Sequence, residues 1–354
     1  MTYKAQSTLA RVPASIADAG GQPRFGTFEG ELVTVDLSRL RAPFQLPIHR
    51  RILKHKRWQY AAIATEEVLV VMAVIDATYA ASGFIYAIDR VQKRVLFDHS
   101  FMGLPGLLVH VGDQPGAGHD SRFRTLGAHM GTHRGYGTKP YVVEADIARM
   151  RTLHKPGVRL RGEVVTDAGG PALTVIAPVP EGVVNITQKW LGLPTQGVLE
   201  VGSRRFSLDG GLAGLDYTQG YLARRTSWRW ALALGRLADG TSLGINLVEG
   251  FNESSEVANE NALWLGDRLI PLGRARFEFD KGDPGAPWRI TTSDGVVDLS
   301  FEAIHVHTEH RDLKVLTSYF VQPCGLFEGT IKVDGHVFEV HALAGVTEDQ
   351  DVYW

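Results

Sequence analysis

The sequence predicts an all-β protein, built as two antiparallel β-barrel or barrel-like sandwich domains in tandem. Three observations lead there. Short apolar or alternating runs recur from Trp58 to the end, separated by turn signals. The turns are well supplied, with 39 Gly and 16 Pro, and no heptad run or long period of 3.6 competes with them. The length of 354 residues is enough for two domains that each bury a core.

In chain order, residues 1–15 lack the apolar stretch of a secretory signal, which predicts no export. Short helical pieces are expected only around 39–54, 145–153 and 254–262. Residues 58–65, 68–76, 83–89 and 94–100 read as a meander. Further strands are expected at 107–111, 122–130, 141–147, 159–165 and 173–179. The apolar run 68–75 is far below the ~20 residues that span a bilayer, so it reads as a buried strand and no transmembrane segment is expected. Pro178, Pro180 and Pro194 flank or enter residues 185–210, and 191–197 reads as linker; the expected domains are 1–190 and 191–354. After the junction come 198–201, a central hairpin, then 269–280, 288–292, 296–301, 312–322, 327–333 and 336–343. Asp294-Gly295 and Asp334-Gly335 are expected hairpin turns.

The hairpin, residues 215–264, carries the chemistry. Its first strand puts Leu222, Arg224, Thr226, Trp228, Trp230, Leu232 and Leu234 on one face and Tyr221, Arg225 and Arg229 on the other. After Ala238-Asp239-Gly240, the return strand sets Asn246 and Val248 on one side and Ile245, Leu247, Glu249 and Phe251 on the other. Aromatic surface mixed with few polar groups is how small-molecule pockets are lined. Burial among Trp228, Trp230 and Phe251 would raise the pKa of Asp216 or Glu249 and make either a general acid or base, with Tyr221 relaying the proton. Arg225, Trp228, Trp230, Asn246 and Asn261 are the candidate ligand-binding residues. A purely structural reading stays open: Asp216 paired with Arg225, both Asn satisfying turn backbones, both Trp in a core. Period-2 geometry separates Glu249 from Asn246, so both enter one pocket only through a bulge.

Other signatures are weak. Gly240, Ser242 and Gly244 spell Gly-x-Ser-x-Gly, but from a turn into a strand, where a nucleophile elbow needs strand then helix. His305 and His307 share a strand face, a spacing compatible with a metal, yet nothing completes a motif, so no metal and no cofactor are expected; a solvated edge-strand face is the favoured reading. The 37 basic residues nearly balance 39 acidic ones, which removes a general electrostatic reason to bind nucleic acid, and the basic run 49–57 reads as solvated. The single cysteine, Cys324, excludes an internal disulfide, suits a reducing cytoplasmic setting and reads as structural in a strand-end turn.

An ordered set of residues also carries a resemblance: Asp216, Gly220-Tyr221, Arg225 to Trp230, Gly244 to Leu247, Asn261 to Trp264, Gln322, Gly325, Phe327, Gly329, with Arg24 to Gly26 early and Glu348, Tyr353 and Trp354 late. The chain resembles the bacterial domain-of-unknown-function family 2804. More distantly it is similar to the lipocalin-like two-barrel group of carotenoid hydratases, kievitone hydratase-like enzymes, tocopherol cyclases and AttH-type survival factors. That likeness implies two lipocalin-like barrels and an enzyme of hydratase, cyclase or isomerase type acting on a hydrophobic terpenoid, polyene or acyl-like molecule. The alternative is a non-catalytic carrier of a lipid-like ligand.

Overall fold

The computed structural model describes residues 9–149, 155–252, 257–312 and 316–354. It is nearly all β: one barrel is nearly closed, the other is a half-barrel, and both are antiparallel. Eleven strands build the region between them: β1 His55–Ala64, β2 Val68–Asp76, β3 Ala81–Asp89, β4 Arg94–Gly103, β5 Val184–Val201, β6 Leu212–Tyr221, β7 Arg225–Arg236, β8 Ser242–Glu249, β9 Val297–Asp312, β10 Thr317–Val333 and β11 His336–Tyr353. The first sheet runs β4-β3-β2-β1-β6-β5 and continues through Val158–Val164, Tyr141–Ile147, Ala128–Arg134, Asp120–Thr125 and Val109–Val111. The second runs Arg268–Pro271, Ala262–Leu265, β8-β7-β11-β10-β9, Trp288–Thr292 and Ala275–Glu278.

Sheet membership changes at residues 222–224. The expected division near 190 falls inside β5, and 191–197 is strand rather than linker. Gly192, at φ +74°, takes up the register shift between Leu191 and Leu193, so a glycine that reads as a turn serves a bulge. The helical segment expected at 39–54 shrinks to Ile48–Lys54, with one 3-10 turn at Leu37–Arg39. Residues 145–147 are strand; the expected helices at 145–153 and 254–262 otherwise fall partly outside the described residues. Asp334 and Gly335 both take positive φ, as a two-residue hairpin turn of this type requires. Cys324 lies in mid-β10, buried, not in a turn. Among the described residues, no helix is long and apolar enough to cross a membrane.

The continuous apolar run of β2 now has a reason. Val68, Val70, Met72 and Val74 fill the interior of the first sheet, while Leu69, Val71 and Ala73 pack on the second. The same alternation sends Ala61 and Ile63 inward and Tyr60, Ala62 and Ala64 outward from β1. On β7, Trp230, Leu232 and Leu234 meet the first sheet, and Ala231 and Ala233 join a third cluster inside the second. Both faces of the central strands are therefore covered, and the strands read as apolar throughout.

A row of small residues crosses the second sheet: Ala233, Gly345, Gly325 and Ala303 are successive cross-strand partners. A Cβ on Gly345 would stand 1.9 Å from the Leu232 carbonyl oxygen, which leaves no room for a side chain. Gly345→Val is expected to destabilise the protein by about 1–3 kcal/mol through overpacking. Thermal unfolding followed by circular dichroism checks this, and an unchanged midpoint would show that the row is not constrained.

Candidate functional site

Two rows of side chains face each other between the sheets. In the first sheet, Tyr60, Asp216 and Lys189 are aligned across β1, β6 and β5. In the second, Val248, Trp230 and Glu348 are aligned across β8, β7 and β11. All six line a cavity of about 140 Å³. Its walls are largely aromatic. Tyr60 meets the Trp230 indole edge-on at 5.0 Å, Trp58 stacks over Trp228 at 5.9 Å, and Phe251 tilts against Trp228 at 5.3 Å. Phe251 reaches this wall although period 2 sends it to the other side: β8 ends at Glu249, and Gly250, at φ +87°, turns the chain over.

Besides the half-buried Arg311–Glu309 pair, the charged groups of the lining are buried. Lys189 Nζ lies 2.6 Å from Asp216 Oδ2 and 3.4 Å from Glu260 Oε2, all three side chains being less than one-tenth exposed. Burial works to lower the Lys189 amine, but the two carboxylates outweigh it and the net shift is upward. Thr187 and Thr218 hydroxyls lie 3.4 and 3.3 Å from Asp216 Oδ1. Burial raises Glu260, against the pull of Lys189, and its Oε2 accepts no hydrogen bond.

Glu348 completes the set. Trp228 Nε1 donates to its Oε1 at 2.6 Å, and Gln322 Nε2 donates to its Oε2 at 2.6 Å. Gln322 is fixed in that orientation because its Oε1 accepts from the Tyr86 hydroxyl, also at 2.6 Å. Burial pushes the Glu348 carboxyl up to about 7, with Asp216 adding to the rise and the two N–H donors and Lys189 opposing it. A carboxyl raised this far can give a proton near neutrality. Both of its hydrogen-bonding neighbours are donors, so neither offers that proton an acceptor.

The expected site residues divide between this cavity and its surroundings. Asp216, Trp228 and Trp230 line it. Asn246 stands just behind, accepting from Trp230 Nε1 at 2.8 Å and donating to the Glu260 carbonyl at 2.7 Å; Asn261 accepts from the Val248 amide at 2.6 Å. Tyr221 ends β6 away from the cavity, buried with its ring on His55 at 5.6 Å. Glu249 sits opposite Arg229 in the β7–β8 ladder and does not line the cavity, as its strand face requires. Arg225 is exposed and pairs with Asp351 at 2.8 Å, so the expected Asp216–Arg225 pair is replaced by Asp216–Lys189 and Arg225–Asp351. His305 and His307 are not a solvated face: His307 is buried, and both rings bond to Asp98, at 2.7 and 2.9 Å, which holds that carboxyl low against its burial. Among the described residues no group of three His, Cys, Asp or Glu side chains is set to hold a metal ion. Lys56 of the basic run is also buried, its ammonium against the carbonyls of Leu53, His55 and Ala77.

Sequence reasoning passed over Tyr60, Lys189, Glu260, Gln322 and Glu348 as site residues. Gln322 and Glu348 did stand in the ordered set that carries the family resemblance, which was the one available signal. Lys189 and Tyr60 lie in strands distant in sequence from the hairpin, and only their register with Asp216 brings them in.

A family model described as Domain of unknown function (DUF2804) matches residues 7–354. No curated protein matches the sequence. Among solved structures, kievitone hydratase from Nectria haematococca is similar with a TM-score of 0.50 at 11% identity, covering 93% of this chain and 98% of that one. An AttH-type protein from Nitrosomonas europaea aligns with a TM-score of 0.48 at 12% identity, over 88% of this chain and 96% of that one. The likeness to kievitone hydratase shows a shared fold.

Lys189→Met removes the ammonium that Asp216 and Glu260 share. The variant is expected to lose ~3–5 kcal/mol near neutral pH, the usual result of stranding a buried charge. The loss should shrink as pH falls, because protonating the stranded carboxylates relieves it. Denaturant unfolding across a pH series measures this; a deficit that does not vary with pH would assign the lysine a packing role only.

Proposed function

Since the chain belongs to the DUF2804 family, a domain of unknown function, its activity has to be argued from the cavity, and we propose that it is an acid–base enzyme of hydratase, cyclase or isomerase type acting on a hydrophobic small molecule. One observation carries this reading: a carboxyl raised to about 7 lines an aromatic-walled cavity and is held by two N–H donors, neither of which can accept its proton. A general acid works best with a pKa near the working pH. The fold shared with a kievitone hydratase is consistent with it, as an analogy of fold alone.

In this mechanism Glu348 gives its proton to an alkene carbon, and the π pair becomes the new C–H bond. The electron-poor carbon left behind faces the rings of Trp228, Trp230 and Tyr60, whose π faces stabilise positive charge. Asp216, held by Lys189, stands on the opposite wall as the carboxylate that takes a proton from attacking water or from the adjacent carbon. Asp216 releases its proton to solvent and Glu348 regains one, which restores both carboxyls.

Denaturing organic extraction of the purified protein, with mass spectrometry against a mock purification, identifies the bound compound. On that compound, Glu348→Gln and Asp216→Asn are each expected to lower turnover by about 10²–10⁴ while ligand is retained. Because the acid is the protonated form, the wild-type rate should fall as pH rises through about 7. A ligand that is bound but never converted by the wild type would instead make the protein a carrier.

A further inference from the structure

We propose that the cavity takes an apolar molecule bearing a ketone or enone carbonyl, whose oxygen is held between the Tyr60 hydroxyl and the Glu348 carboxyl. The assignment deepens the acid–base reading above and rests on it. Tyr60 is 4% exposed, lines the cavity, and its hydroxyl has no hydrogen-bond partner. A buried hydroxyl without a partner is uncommon and marks a place where another group belongs. The Tyr86 hydroxyl beside it gives its own proton to Gln322 Oε1. The Tyr86 oxygen keeps lone pairs that compete for the Tyr60 proton, but no contact at hydrogen-bond distance joins the two hydroxyls, so a ligand oxygen can take it. Burial first, then the fields of Glu348, Cys324 and Asp216, push the Tyr60 phenol well above its ordinary value, so it stays a donor across the working range.

Tyr60 and Glu348 flank the same indole. Tyr60 packs on Trp230 from the first sheet, and Trp230 is the cross-strand partner of Glu348 in the second. Two O–H donors set around one aromatic surface match the two lone pairs of a carbonyl oxygen. An anionic head group is disfavoured by Asp216 and Glu260 on the facing wall, since Arg311, the other cation of the lining, is already paired with Glu309 at 2.7 Å, and a ligand ammonium would have to displace Lys189 from its carboxylates. With an enone, Glu348 protonates the carbonyl oxygen rather than an alkene carbon: water adds to the conjugated carbon, the C=C pair shifts to form the enol, and Asp216 takes the water's proton.

Facing Glu348 are Asp216 on β6 and Lys189 on β5, Tyr60 on β1 and Tyr86 on β3, with the Cys324 thiol on β10, which burial keeps protonated. Glu348 is raised to about 7, and Glu260, also raised by burial, shares the cavity.

Two probes of matched shape test the assignment: 2-acetylnaphthalene, which has the carbonyl, and 2-ethylnaphthalene, which lacks it. The ketone is expected to bind about tenfold more tightly than the hydrocarbon at about pH 6, the difference one or two hydrogen bonds supply. The preference should fall by pH ~8, when ionised Glu348 confronts the carbonyl. Tyr60→Phe should shrink the preference at both pH values, and Glu348→Gln should remove its pH dependence. Equal binding of the two probes at about pH 6 overturns the carbonyl assignment and leaves the apolar cavity standing. If neither binds the wild type, the cavity reading itself fails and the assignment with it.

Discussion

One ammonium is enclosed with three carboxyls, and the rest of the site follows from that imbalance. Lys189 can neutralise only one of Asp216, Glu260 and Glu348. Asp216 takes the short contact, Glu260 the longer one, and Glu348 is left with N–H donors alone. In a low-dielectric enclosure an uncompensated carboxylate binds a proton rather than remain charged, and the upward shifts of Glu260 and Glu348 are that response. A buried ion pair is weak evidence for stability, since desolvation offsets much of the attraction. Its use here is chemical: it fixes which carboxyl is a base and which is an acid.

The imbalance exists because two sheets close over it. Each sheet's outward residues cover the other's, so strands that might have faced water are buried on both sides. Register then decides which polar groups meet. Lys189, Asp216 and Tyr60 share one row, and Trp230 and Glu348 another, so a slip of one residue in either sheet would turn the whole row away from the cavity. The bulges at Leu191/Leu193 and Ala303/His305, and the small-residue row through Gly345, are where the backbone accommodates that packing.

Much of this fold is legible in the sequence, because strand runs and Asp-Gly turns are local signals. The runs at 68–76, 141–147 and 288–292 coincide with strands, and the turns at Asp294-Gly295 and Asp334-Gly335 lie between paired strands. What is not legible is length: β5, β10 and β11 run for 17 or 18 residues through glycine and proline that read as punctuation. In the site, Trp228 and Trp230 follow from period 2 alone; the same period sets Glu249 on the other strand face, although it reads as a candidate acid in the sequence. Phe251 does not, since Gly250 reverses its side, and Lys189, Tyr60 and Glu348 do not, since their meeting depends on strand register, with Tyr60 and Glu348 paired across more than a hundred residues of sequence. The basic run 49–57 likewise gave no sign that Lys56 would be buried under Trp354.

The most direct test of the account is the protonation state of Glu348. Infrared difference spectra of wild type against Glu348→Gln, recorded across a pH series, isolate that one carboxyl. The account predicts a carboxylic-acid C=O band that persists to neutral pH and titrates away with a midpoint near 7. A band that titrates near 4.5, the ordinary glutamate value, would contradict it.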